Sequence, residues 1–223
     1  LNLERAIKLG IIRPPLEIKA EGRPSKIPTR KVKAEALPLS IRLVAIKPKP
    51  LEKEEKALRL SRVVFWNEKV FGPMPEEPVI ELRGLIGSSP LSIVYLGSIA
   101  GREVAVKMPL LPRPWKTLER GEQDEFLKEA KLLAKLRHPN LVTVLAYGTA
   151  PCAWIALEFL RGGSLRFVIK RHYPNGLPIH DVILLGIQLA DVLGYIHHHG
   201  IVHRDIKPEN ILFTVNGIPK LAD

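Results

Sequence analysis

The chain has 223 residues, of which 46% are hydrophobic, and a formal net charge of +11. This length fits one domain with an extension or two small domains, and the apolar content is enough to bury a core. No apolar run reaches the roughly 18 residues of a bilayer span, and the single cysteine, Cys152, excludes an intramolecular disulfide and favours a reducing compartment, with the cytoplasm as the expected location.

The charge is uneven. Residues 1–75 carry most of the basic excess, whereas residues 76–223 are close to balanced. A basic segment attracts nucleic acid or acidic membrane, but no aromatic residues interleave these lysines as base-stacking platforms would. Nucleic acid is therefore not the expected partner, and the plain reading is a solvated basic linker. The same basicity leaves a nuclear location open. The chain begins at Leu1 with no signal-peptide pattern, so the true N-terminus is expected to lie further upstream.

In residues 1–50, Pro14, Pro15, Pro24, Pro28, Pro38, Pro48 and Pro50 interrupt any helix and remove strand donors. The expectation is an extended, largely disordered arm without a packed core of its own. Over 51–71, Leu51, Leu58, Val63, Phe65 and Trp66 among Glu and Lys predict a helix, and Gly72-Pro73-Met74-Pro75 marks a boundary. Short β-rich runs follow at Val79 to Ile86, Ile93 to Ile99 and Glu103 to Met108. Gln123 to Arg137 has apolar residues at three- and four-residue spacing and predicts a helix. Two more strands are expected at Thr143 to Tyr147 and Ala153 to Phe159. A short helix capped by Ser164 comes next, then a long one from His180 to His199 closed by Gly200. Ile211 to Phe213 and Pro219 to Ala222 read as a hairpin across Asn216-Gly217. The expected class is α+β: a five-stranded antiparallel lobe with one helix, joined to a helical lobe.

The strongest chemical signal is His203-Arg204-Asp205-Ile206-Lys207-Pro208-Glu209-Asn210. It places a carboxylate, a cation and an amide oxygen within one short loop. Asp205 is suited to orient a hydroxyl proton, Lys207 to neutralise charge on a transferring group, and Asn210 to offer a hard oxygen to Mg²⁺. Upstream, Val104-Ala105-Val106-Lys107 ends a strand with a lysine, Glu129 sits on the following helix, and His138-Pro139-Asn140-Leu141-Val142 leads into the next strand. Taken singly, Lys107 reads as a strand end reaching water and Glu129 as a solvated helix residue.

Together these residues resemble the eukaryotic protein kinases, through the catalytic loop H-R-D-x-K-x-x-N and the strand motif V-A-I-K. The resemblance runs from about Val79 to Asp223, with residues 79–159 as the amino-terminal lobe and 160–223 as the start of the carboxy-terminal lobe. Lys207 two positions after Asp205 resembles the Ser/Thr kinases, and the text from Glu129 to Val142 and at Ser164-Leu165 resembles their tyrosine-kinase-like branch. The resemblance implies ATP and Mg²⁺ as cofactors and Ser/Thr-bearing proteins as substrates. It implies Asp205, Lys207, Lys107 and Glu129 as catalytic residues, with Lys107 and Glu129 ion-paired, and Asn210 and Asp223 as metal ligands. Ile86, Val94, Ala105 and Leu212 would sandwich adenine, and the backbone of Glu158 and Leu160 would hydrogen-bond it. Gly87, Ser89, Ser92 and Lys107 would face the phosphates.

Two departures bear on activity. The loop written G-x-G-x-x-G-x-V in the family reads Gly87-Ser88-Ser89-Pro90-Leu91-Ser92-Ile93-Val94, with serine at the second and third glycine positions and a proline that lacks an N–H. Asp223 stands where the family writes D-F-G and is the last residue, so the expectation is an incomplete and inactive portion of a kinase domain. The alternative reading is a pseudokinase scaffold with a basic docking arm. It is disfavoured because Lys107, Glu129, Asp205, Asn210 and Asp223 are all present. Arg30-Lys31-Val32-Lys33 followed by Leu37-Pro38-Leu39 resembles peptides that dock on mitogen-activated kinases, which makes kinase-cascade partners an expectation for the arm. His197, His198 and His199 do not read as a zinc site, since consecutive helical residues point about 100° apart.

Overall fold

The computed structural model describes residues 38–39, 41–43, 45–51, 60–76, 78–110 and 120–222, without the side chains of residues 120, 122, 123, 125 and 129. Residues 1–37 of the arm therefore lie outside the described residues, as do 52–59 of the expected helix and Asp223.

A six-stranded antiparallel sheet forms the first lobe, in the order β1-β5-β6-β4-β3-β2. The strands are β1 (Ser61–Trp66), β2 (Ile80–Ser88), β3 (Ser92–Ile99), β4 (Arg102–Pro109), β5 (Val144–Ala150) and β6 (Trp154–Glu158). Between β1 and β2 comes a single helical turn, α1 (Glu68–Phe71), and between β4 and β5 the helix α2 (Arg120–Leu133). The five expected strands are all present. The sixth, β1, replaces the second half of the helix expected over 51–71, because Val63, Val64, Phe65 and Trp66 form a β-branched and aromatic run that pairs antiparallel with β5.

The period-2 alternation of β4 divides the sheet's two faces. Val104, Val106 and Met108 are fully buried on one side, where Trp154, Tyr95 and Ile99 join them and Leu51, Leu60, Val63, Trp66, Val70 and Phe71 pack as a cover. Ala105 and Lys107 alternate with these and point to the other side. On that side α2 packs Leu127 and Ala130 against Val144, Tyr147 and Ile155. Leu51 and the apolar residues of 60–71 thus close a sheet face that would otherwise meet water.

The second lobe contains α3 (Leu165–His172), α4 (Ile179–His198), a 3₁₀ turn at Pro208–Asn210 and the hairpin β7 (Ile211–Phe213) with β8 (Pro219–Leu221). Ser164 caps α3 by accepting the Phe167 N–H at 3.3 Å, as its position predicts. At the end of α4 two nested bonds, Ile201 N to Ile196 O and Gly200 N to His197 O, turn the chain toward the 203–210 loop. Among the described residues α4 is the one helix long and apolar enough to cross a membrane, with a mean hydropathy of 1.5. Its Leu185, Val192 and Ile196 pack with Val168, Ile211 and Phe213 in the core of this lobe.

The arm was expected to be disordered up to about Pro50, yet residues 39, 41–43 and 45–51 lie along both lobes. Leu39 and Ile41 are buried in the helical core, and Leu51 is buried under the sheet. Leu39 N donates to Gly217 O at 2.9 Å, Arg42 N to the Tyr173 hydroxyl at 3.0 Å and Ile46 N to Arg161 O at 3.4 Å. Lys49 and Leu85 exchange both backbone bonds, at 2.7 and 2.8 Å. Two glycines make room for this strap. A Cβ at Gly84 would lie 2.6 Å from Pro48 Cβ, and one at Gly217 would lie 2.8 Å from Leu39 O.

Candidate active site

The loop of residues 203–210 spans the gap between the end of α4 and β7, and its geometry is fixed from both ends. His203 Nε2 lies 3.2 Å from Ala222 O, and its Nδ1 accepts the Asp205 N–H at 3.4 Å, a pattern that matches the neutral tautomer protonated on Nε2. Ala222 N in turn donates to Asn210 O at 2.9 Å, so the residue before Asp223 is held through both backbone groups. Arg204 adopts φ 65°, a left-handed conformation that costs free energy for a residue with a Cβ and is found where a loop is held by its surroundings.

Asp205 Oδ2 receives Lys207 Nζ at 2.6 Å and Asn210 Nδ2 at 2.9 Å, and the same Nδ2 also donates to Asp205 O at 2.9 Å. Two acceptors on one side of the Asn210 amide fix its orientation, which directs Oδ1 away from them. The hydrogen bond from Lys207, aided by that of Asn210, holds the Asp205 carboxyl below the ordinary aspartate range. The group is thus a carboxylate at neutral pH, able to accept a proton-bearing hydroxyl but not to donate.

A cleft of about 660 Å³ brings Ser89 and Ser92 together with Lys107, Asp205 and Lys207, over a floor that includes Leu221 and Ala222. Lys107 reaches it from β4, where it stands opposite Val94 of β3 and Ile155 of β6. Phe126 and Leu133 of α2 line the same cleft. Position 129 lies one helical turn from each of them, but its side chain, and with it the expected pair with Lys107, lies outside the described residues. The second expected metal ligand, Asp223, lies outside them too.

The adenine residues do not line this cleft. Ile86, Val94, Ala105 and Leu212 are each half-buried on β2, β3, β4 and β7, and Leu160 is buried just beyond the end of β6. Glu158 stands at the end of β6. Its N–H donates to Thr143 O at 3.0 Å, so that donor is taken from any purine edge. Its carboxylate accepts Thr143 N at 2.8 Å and Lys220 Nζ at 2.7 Å, which ties the end of β6 to β8. The Lys220 partnership has no local signal, because 62 positions separate the two residues. Gly87 sits in β2 opposite Val94, at the entrance to the loop.

The family model for the protein kinase domain matches residues 80–223. The chain belongs to the protein kinase family. It is 35% identical over 144 residues to a probable serine/threonine-protein kinase of Clostridium perfringens, covering 64% of this chain and 21% of that protein. It is 32% identical over 133 residues to a serine/threonine/tyrosine-protein kinase of Arabidopsis thaliana, covering 59% of this chain and 34% of the relative. Mitogen-activated protein kinase kinase kinase 12 of Rattus norvegicus is 34% identical over 153 residues, covering 67% of this chain and 15% of the relative. The chain therefore spans about a third or less of the length of these relatives.

Proposed function

We propose that the protein carrying this chain transfers the γ-phosphate of Mg-ATP to Ser or Thr hydroxyls of protein substrates. The observation that carries the reading is Asp205, an exposed carboxylate held by Lys207 and Asn210 and facing the cleft that Lys107 enters. The donor set fits the cofactor: Asn210 Oδ1 and the carboxylate of Asp223 are the hard oxygens that Mg²⁺ takes, and Lys107 is a point charge for phosphate oxygens. When bound, Mg-ATP supplies the transferable phosphoryl group and neutralises its charge. Asp205 orients the incoming hydroxyl and accepts its proton, and Lys207 stands beside the same carboxylate to offset negative charge at the acceptor.

Lys207 and the serine/threonine names among the relatives support Ser/Thr over Tyr acceptors. The likeness to a mitogen-activated kinase kinase kinase supports kinase-cascade partners. Contact through the arm would rest on Arg30, Lys31 and Lys33, because Leu39, expected to belong to an exposed docking peptide, is buried in the chain's own helical lobe. The single thiol of Cys152 suits the cytoplasm.

The test is labelled phosphate transfer to a mixed basic protein substrate, followed by phosphoamino-acid analysis of the product. Label on phosphoserine and phosphothreonine is expected. Label confined to phosphotyrosine would overturn the acceptor class, and Mg-ATP binding without any transfer would favour the scaffold reading.

A further inference from the structure

Every backbone donor in the turn between β2 and β3 is engaged within the turn itself. Ser89 N donates to Ser92 O at 2.7 Å. Pro90 has no N–H. Leu91 N and Ser92 N both donate to Ser89 Oγ, at 3.3 and 3.0 Å, and Ser89 Oγ lies 2.9 Å from Ser92 Oγ. The tip is tied down as well, since Leu91 O accepts from Leu110 N at 2.9 Å beyond the end of β4. The turn nonetheless lines the cleft with Lys107 and Asp205, where a phosphate-binding loop would present unpaired N–H groups to an anion.

We infer that Ser89 determines how this site weighs a nucleotide's phosphates: its hydroxyl occupies the two amides, of Leu91 and Ser92, that an anion would otherwise receive. The inference rests on the nucleotide-binding reading given above. A phosphate oxygen entering the loop must replace Ser89 Oγ as acceptor, so the exchange brings little net gain, in the way that folding exchanges one hydrogen bond for another. Affinity for a triphosphate then depends on Lys107 and the metal ligands rather than on the loop. The consequence is weak discrimination between adenosine, ADP and ATP. Removing the hydroxyl frees two convergent donors without touching the purine pocket.

The test is calorimetric titration of the complete protein, in Mg²⁺, with adenosine, ADP and ATP separately. It is run on wild type, Ser89→Ala and Ser89→Gly, with apo thermal stability recorded for each. Ser89→Gly and Ser89→Ala are expected to raise ATP affinity about tenfold, the scale of one net hydrogen bond, and to change adenosine affinity less than twofold. Both should lower the apo melting temperature, because they remove the acceptor that closes the turn. ATP binding detectable only in the variants also supports the inference. Unchanged or weaker ATP binding in both variants overturns it and assigns the Ser89 hydroxyl as a phosphate donor. If neither adenosine nor ATP binds any of the three proteins, the nucleotide reading itself fails and the inference falls with it.

Discussion

The side-chain amide of Asn210 grips Asp205 twice, donating from Nδ2 to the carboxylate Oδ2 and to the backbone carbonyl, each at 2.9 Å. One residue thus holds both the backbone turn and the carboxylate rotamer of the 203–210 loop. With Lys207 on the same carboxylate oxygen, the arrangement stabilises the charged form of Asp205.

A pH dependence follows with a definite sign. The folded pKa of Asp205 lies below the ordinary aspartate value, chiefly through the Lys207 hydrogen bond. The favourable interaction is therefore present above the unfolded pKa and is lost as pH falls through the lower, folded pKa. In carbon-detected NMR titration of the aspartate carboxyls, the Asp205 inflection is expected below those of unpaired aspartates, and Lys207→Ala should move it upward. An inflection indifferent to Lys207→Ala would show that the pair does not persist in solution.

The strap along both lobes predicts a steric result. Gly84→Val has no room beside Pro48, and Gly217→Val meets the Leu39 backbone, so each presses on the strap; at Gly217, whose φ is 80°, the new side chain is strained in addition. Each is expected to cost about 1–3 kcal/mol, the range for overpacking a close contact, read as a fall in urea midpoint. Gly186→Ala in exposed α4, where a Cβ would meet nothing within 4 Å, serves as the contrast and should be neutral or stabilising. Equal, small effects at all three positions would mean that the strap is not docked.

Cys152 offers a probe of the sheet core. It is fully buried beside Trp154, and burial pushes its thiol up to about 11. In native protein a thiol reagent is expected to react at the rate of opening rather than of chemistry, with full labelling only in denaturant. Rapid labelling of the native state would contradict the packing of that face.

How far the sequence could be read depended on the range of each interaction. Ser164 as a cap, the Asn216-Gly217 hairpin and the chemistry of residues 203–210 are local, and a few neighbouring residues encode each. The strand at Ser61–Trp66 was hidden because its partner, β5, lies far along the chain. Val63 to Trp66 was the available signal, a β-branched and aromatic run. The strap had a signal as well: Gly84 stands inside a strand without a turn to make, which points to a close backbone approach. The taken N–H of Glu158 and the inward Ser89 hydroxyl depend on three-dimensional register and had no counterpart in the residue pattern.

The central claim is that Asp205 orients the acceptor hydroxyl in phosphoryl transfer, and Asp205→Asn in the complete protein addresses it most directly. Asparagine keeps the shape but removes the charge that Lys207 and Asn210 stabilise. Transfer of labelled γ-phosphate to a Ser/Thr substrate is expected to fall by at least ~10²-fold, the scale of losing a positioned acid–base group, while Mg-ATP affinity changes little. Lys107→Met, run in parallel, should damage nucleotide binding, turnover or both. Wild-type protein that transfers phosphate at a rate unaffected by Asp205→Asn would contradict the account.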